Sequence, residues 1–125
     1  MTRMKTAAAM VVLLACAGAG LAQQPGFTRT VLQQVDLSMP GREAITARAE
    51  FQPGGSVGRH THFGEEIGYV AAGAVTVEID GVTKVVKAGE AFIIPTGKPH
   101  NAPNAGPGPA SLVITYVVEK GKPLA

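Results

Sequence analysis

From Thr28 onward, runs of residues suited to β-strands recur roughly every 8 to 15 residues, and each is cut off by Gly, Pro, Asn or Asp. That spacing leaves little room for long helices, and no such run repeats its apolar residues at helical intervals. Strands are expected at Thr28–Asp36, Glu43–Gln52, Glu66–Val70, Ala74–Asp80, Val82–Lys87, from Gly89 through Ile94 to Pro95, and at Ser111–Val118. In the second, Ile45, Ala47, Ala49 and Phe51 alternate with Thr46, Arg48 and Glu50, which gives a sheet one apolar face. Asp80-Gly81 suits the turn of a hairpin, and a further turn is expected around Gly64. The last strand is apolar on both faces, which is compatible with a homodimer that covers one of them. Gly121–Ala125 carries no strand pattern and is expected to be loose. The expected fold class is therefore all-β, an antiparallel barrel or sandwich with space for a modest ligand.

The first residues belong to a different class. Arg3 and Lys5 precede an apolar run from Ala7 to Ala15, and Gly20-Leu21-Ala22 offers small residues for cleavage before Gln23. Residues 1–22 are read as a secretory signal peptide and residues 23–125 as one exported domain, periplasmic or extracellular. The run is shorter than the ~20 residues a bilayer-crossing helix needs, so no permanent membrane span is expected. The rival reading is a lipoprotein: Leu13-Leu14-Ala15-Cys16 loosely resembles a bacterial lipid-attachment site, with Cys16 as the anchored N-terminus. Cleavage at Ala22 would remove the only cysteine and two basic side chains, leaving a thiol-free domain with equal numbers of basic and acidic residues. Such a balance, with no dense Lys/Arg run, argues against nucleic acid as a partner.

The three histidines carry the chemistry. His60 and His62 lie two apart, so in an extended segment both imidazoles project to one side. A tight turn then returns Glu66, and His100 arrives from a later strand. Three imidazoles and one carboxylate converging in a barrel would bind a divalent transition metal ion: Fe, Mn, Ni, Cu and Zn all suit imidazole. On an ion that prefers six ligands this leaves open positions for a small-molecule substrate. By residue type Glu65 and Glu66 are both eligible, and spacing selects Glu66. Glu65 remains as a candidate proton shuttle beside the site.

The spacing resembles both motifs of the cupin superfamily. Gly54, five residues, His60, one residue, His62, three residues, Glu66, six residues and Gly73 match the first. Gly89, five residues, Pro95, one residue, Gly97, two residues, His100, three residues and Asn104 match the second. The resemblance implies a double-stranded antiparallel β-barrel of jelly-roll type with His60, His62, Glu66 and His100 as ligands of one metal ion, Fe or Mn being favoured. It implies turn roles for Gly54, Gly73, Gly89 and Gly97, and Asn104 in its Pro/Gly loop is read as a turn-stabilising side chain rather than a substrate contact. Core packing is the expectation for Phe51, Phe63, Tyr69, Phe92 and Tyr116, while Arg48 and Lys98 are read as solvated although either type could hold a carboxylate. The favoured function is an oxidoreductase of dioxygenase type acting on a small organic substrate. The alternatives are a non-redox metal cupin (isomerase, lyase or decarboxylase) and a non-catalytic cupin that binds or senses a small ligand.

Overall fold

The computed structural model describes residues 24–125. The expected leader, residues 1–22, and Cys16 within it lie outside the described residues. The strands are β1 (Phe27–Asp36), β2 (Arg42–Phe51), β3 (Gly64–Ala72), β4 (Ala74–Ile79), β5 (Val82–Lys87), β6 (Ala91–Ile94), β7 (His100–Asn101) and β8 (Ala110–Glu119). Among the described residues there is no helix, and hence none long and apolar enough to cross a membrane. All strand pairs are antiparallel, in a five-stranded sheet of order β1-β2-β8-β3-β6 and a three-stranded sheet of order β5-β4-β7. This is the expected all-β jelly roll.

The alternation in β2 sets the inside of the larger sheet. Ile45, Ala47, Ala49 and Phe51 are buried, and their partners across β8, Tyr116, Ile114, Leu112 and Ala110, are buried with them. Val75, Val77 and Val86 of the smaller sheet complete the core. Between β4 and β5, Asp80 and Gly81 both take positive φ, 50° and 77°, the backbone that a tight two-residue hairpin requires. Outside, Ile67, Tyr69, Ile93 and Val113 stand exposed on the larger sheet.

Several expectations are corrected. β7 is too short to show a pattern in the sequence; it forms because His100 and Asn101 pair with Ile79 and Glu78 of β4, and His60 joins it only through an isolated bridge to His100. Gly64 opens β3 instead of turning the chain, because its missing Cβ lets the backbone approach the Val117 carbonyl. Phe63 and Tyr69 are exposed and do not belong to the core, whereas Phe51 and Tyr116 are buried and Phe92 packs against the core. The tail is docked: Leu124 packs against the core cluster, and its carbonyl is used by the site described next.

Candidate metal centre

Backbone hydrogen bonds tie the two motifs together before any side chain is considered. The His60 and His100 amides each donate to the other's carbonyl at 3.0 Å, and the Gly97 N–H donates to the His62 carbonyl at 3.1 Å. Farther along, the Gly54 N–H reaches the Asn104 carbonyl at 3.0 Å and the Asn104 N–H reaches the Gly55 carbonyl at 2.9 Å. The segment with His60 and His62 is thereby held against the segment with His100. Glu66 comes from β3, where its ladder partners are Tyr116 of β8 and Ile94 of β6, both buried, so its carboxylate faces the interior.

The four side chains meet. One donor atom from each of His60, His62, Glu66 and His100 lies within 4.8 Å of every other, and all but the half-buried His60 are buried. Glu66 Oε2 is 3.0 Å from His62 Nε2 and 2.9 Å from His100 Nε2, and the Nε2 atoms of His60 and His62 are 3.1 Å apart. Each histidine has its other nitrogen on a main-chain carbonyl: His60 Nδ1 on Gly58 at 2.7 Å, His62 Nδ1 on Leu124 at 2.5 Å and His100 Nδ1 on Lys98 at 2.8 Å. A carbonyl only accepts, so every Nδ1 carries the hydrogen, and in the neutral rings the three Nε2 lone pairs point inward.

That arrangement needs positive charge at its centre. Lone pairs of two nitrogens 3.1 Å apart, with a carboxylate oxygen at the same range, repel unless protons or a cation lie between them. Ligands about 2.1 Å from an ion and at right angles around it sit about 3 Å from one another, which is the spacing of three of the six pairs here, the others lying within 4.8 Å. The residues therefore fit a divalent ion by donor type, orientation and separation. Three imidazoles and one carboxylate favour a transition metal over Mg²⁺ or Ca²⁺.

Without an ion, protons on the Nε2 side of the cluster take part of its place, and the charge states reflect this. Burial opposes ionisation of Glu66, but hydrogen bonds with His100 and His62 more than offset it and hold the carboxyl down at about 2. Burial lowers His60 to about 4, so its ring is neutral and free to donate a lone pair at pH 7. For His100 burial also acts downward, but the hydrogen bond with Glu66 and the Lys98 carbonyl together raise it. Burial, aided by the Glu66 charge, raises the Tyr116 phenol, which keeps its proton at neutral pH.

The other candidates fall elsewhere. Glu65 pairs with Val117 on the opposite face of β3 from Glu66, so the structure does not bring it to the centre. Arg48 is exposed, and Lys98 pairs with Asp80 at 3.1 Å on the surface. Asn104 is buried and fully used by main chain: Nδ2 donates to the carbonyls of Gly108 at 2.8 Å and of Phe51 and Gln52 at 3.3 Å, and Oδ1 accepts from the Gly106 amide at 3.0 Å. Two partners of the centre gave no sign in the sequence. One is the Leu124 carbonyl, in a tail without pattern; the other is the Tyr116 ring, 4.8 Å from that of His62. An apolar cleft of about 360 Å³ opens between β4, β5 and β6, lined by Val77, Ile79 and Phe92 among others, and Ile79 is the ladder partner of His100.

A barrel of this topology with an inward three-histidine, one-glutamate cluster defines a class of metal-centred β-barrels. Residues 47–118, more than half of the chain, match the family model described as Cupin domain, and the chain belongs to the cupin family. Germin-like protein 3-5 of Oryza sativa subsp. japonica is 37% identical over 78 residues, 55% of this chain and 34% of that protein. Oxalate oxidase 2 of Hordeum vulgare is 38% identical over 78 residues, 55% of this chain and 35% of that protein. The chain thus spans about a third of the length of these relatives. A solved structure of oxalate oxidase in complex with the substrate analogue glycolate is 27% identical with a TM-score of 0.66, covering 85% of this chain and 57% of that one.

Proposed function

We propose that this protein is an exported mononuclear metal cupin that holds one divalent transition ion, Fe or Mn in preference to Ni, Cu or Zn, on His60, His62, Glu66 and His100. It acts as an oxidoreductase on a small organic substrate. The observation that carries this reading is the convergence of three Nε2 atoms and one carboxylate oxygen, with every Nδ1 engaged on a carbonyl. When bound, the ion would supply Lewis acidity and, if Fe or Mn, redox capacity beside its open positions. The protein's own part is to fix the four ligand atoms, to keep His60 unprotonated at neutral pH, and to shield Glu66 with its buried ladder partners Tyr116 and Ile94. The relatives named oxalate oxidase support oxidoreductase chemistry over the alternatives. The isomerase or decarboxylase reading would use a free acid/base beside the metal, and its candidate, Glu65, faces the other way.

Elemental analysis of protein purified from its own host, followed by dioxygen uptake with small organic acids and phenols, tests the reading. Fe or Mn near one per chain, with uptake abolished in His62→Ala, is expected. Stoichiometric Zn in the native protein would count against dioxygen chemistry, and no metal at all would overturn the assignment.

A further inference from the structure

Arg29 is the one strand arginine on the inward face of the larger sheet. Its ladder partner is Ala49, buried within the barrel, and it stands two residues from Phe27, whose partner Phe51 is in the core. The side chain is half-buried and lies over aromatic rings, with Cζ 5.9 Å from the centre of Phe27 and 5.8 Å from that of Tyr116. Nη1 donates to the Tyr116 hydroxyl at 3.4 Å. No carboxylate pairs with it among the described residues; Arg42 and Arg48 also lack one, but they lie on the outward face of β2. Residues 1–23 contain no Asp or Glu that could pair with Arg29.

A half-buried guanidinium without an anion is costly, since neither water nor a counter-charge fully replaces its hydration. Its setting also leads to the centre. Tyr116 lies directly across the ladder from Glu66, and its ring meets that of His62 edge-on at 4.8 Å between centroids. The hydroxyl accepts from Arg29, and its own hydrogen remains available to a ligand oxygen. Ala47 and Ala49, the residues of β2 in front of Arg29, are small. Guanidinium, phenol and ligand cluster therefore form a continuous row along the inside of the sheet.

The geometry points to Arg29 and Tyr116 as a carboxylate subsite, so that the substrate is a small acid with a second oxygen, such as a 2-hydroxy acid, a 2-oxo acid or a dicarboxylate. This rests on the proposed metal centre: one substrate oxygen is ligated there while the carboxylate takes the Arg29 fork and the Tyr116 hydroxyl. Arg29 is the specificity-determining residue, and replacing it should cost binding of the acid without costing the metal.

The test titrates glycolate and its uncharged counterpart glycolamide into wild type, Arg29→Met, Arg29→Lys and Tyr116→Phe by calorimetry, with metal content measured on the same samples. Removal of a charge-assisted pair predicts glycolate binding about tenfold to hundredfold weaker in Arg29→Met. A smaller loss in Tyr116→Phe, partial rescue in Arg29→Lys, and unchanged glycolamide binding and metal content should accompany it. Glycolate affinity in Arg29→Met equal to that of wild type would overturn the subsite, as would an equal loss for glycolamide. A wild type that takes up no divalent ion would overturn the metal centre instead. The same titrations on metal-free protein, following the Arg29 Nε–H resonance by NMR, decide the subsite in that case: a glycolate-induced shift supports it and none overturns it.

Discussion

Each histidine of the centre divides its work between two nitrogens, one fixed by a main-chain carbonyl and one left for the ion, so loss of any ring removes a ligand without leaving another to take its place. His60→Ala, His62→Ala and His100→Ala should each lose most of the bound metal, read by elemental analysis per folded chain. Glu66→Ala should lose far more than Glu65→Ala, because β3 turns only the first of these carboxylates inward. Equal retention in all five variants would refute the ligand set. The titration behaviour gives a second prediction, for the metal-free protein. Glu66 is held at about 2 against an ordinary 4.5, so between those values the unfolded chain takes up a proton that the folded chain refuses. His60, at about 4 against 6.5, acts in the same direction over the higher window. The raised His100 has the opposite sign: its contribution is complete below 6.5 and is lost only as pH rises through its folded value. Thermal stability should therefore fall as pH drops from 6.5 toward 2, and Glu66→Gln should flatten the profile below 4.5. An unaltered slope in that variant would show that Glu66 is not the group responsible.

At the level of elements, the two motifs are halves of one clamp. The residue that opens the first, Gly54, bonds to the residue that closes the second, Asn104, and His60 bonds to His100 further along the same pair of segments. Asn104 then pins its loop to the end of β2 with side-chain bonds to four main-chain groups. Asn104→Ala would strand buried carbonyls and an amide, at a cost of about 2–4 kcal/mol, measurable by denaturant unfolding. Since Asn104 touches no ligand side chain, metal content per folded molecule should stay near that of wild type. A loss of metal without a loss of stability would mean that the residue serves the site directly. Gly68 makes a similar point within the sheet. A Cβ there would run into the Phe92 ring of the neighbouring strand, so Gly68→Ala should destabilise by about 1–3 kcal/mol. In the Phe92→Ala background, where the ring is gone, the same change should cost much less. Additive costs would remove Phe92 from the explanation.

For the molecule as a whole, every strand but β7 and the convergence of His60, His62, Glu66 and His100 were legible because both rest on local signals, the two-residue alternation of β2 and the fixed spacings around those four residues. What stayed hidden depends on partners far along the chain. Arg29 sits in a strand that looks polar, and the irregularity between Val31 and Gln33 breaks its alternation, so only pairing with β2 shows which way it faces. The Leu124 carbonyl could not be singled out, since any backbone oxygen serves a histidine equally well. The expected leader is a local signal of the same kind as the motifs, and the barrel makes it testable. β1 begins at Phe27, whose side chain enters the core and whose amide bonds the Gln24 carbonyl at 3.0 Å. Cleavage between Ala22 and Gln23 would thus leave that bond and the whole of β1 in place. Produced with its full N-terminus in a bacterium that has a periplasm, the protein should appear in the periplasmic fraction, with an intact mass that starts at Gln23 and no thiol titre. A product lipidated at Cys16 in the membrane fraction would instead make this a tethered barrel on a short linker. Uncleaved protein confined to the cytoplasm would remove export from the proposed function and leave the metal centre to be judged on its own.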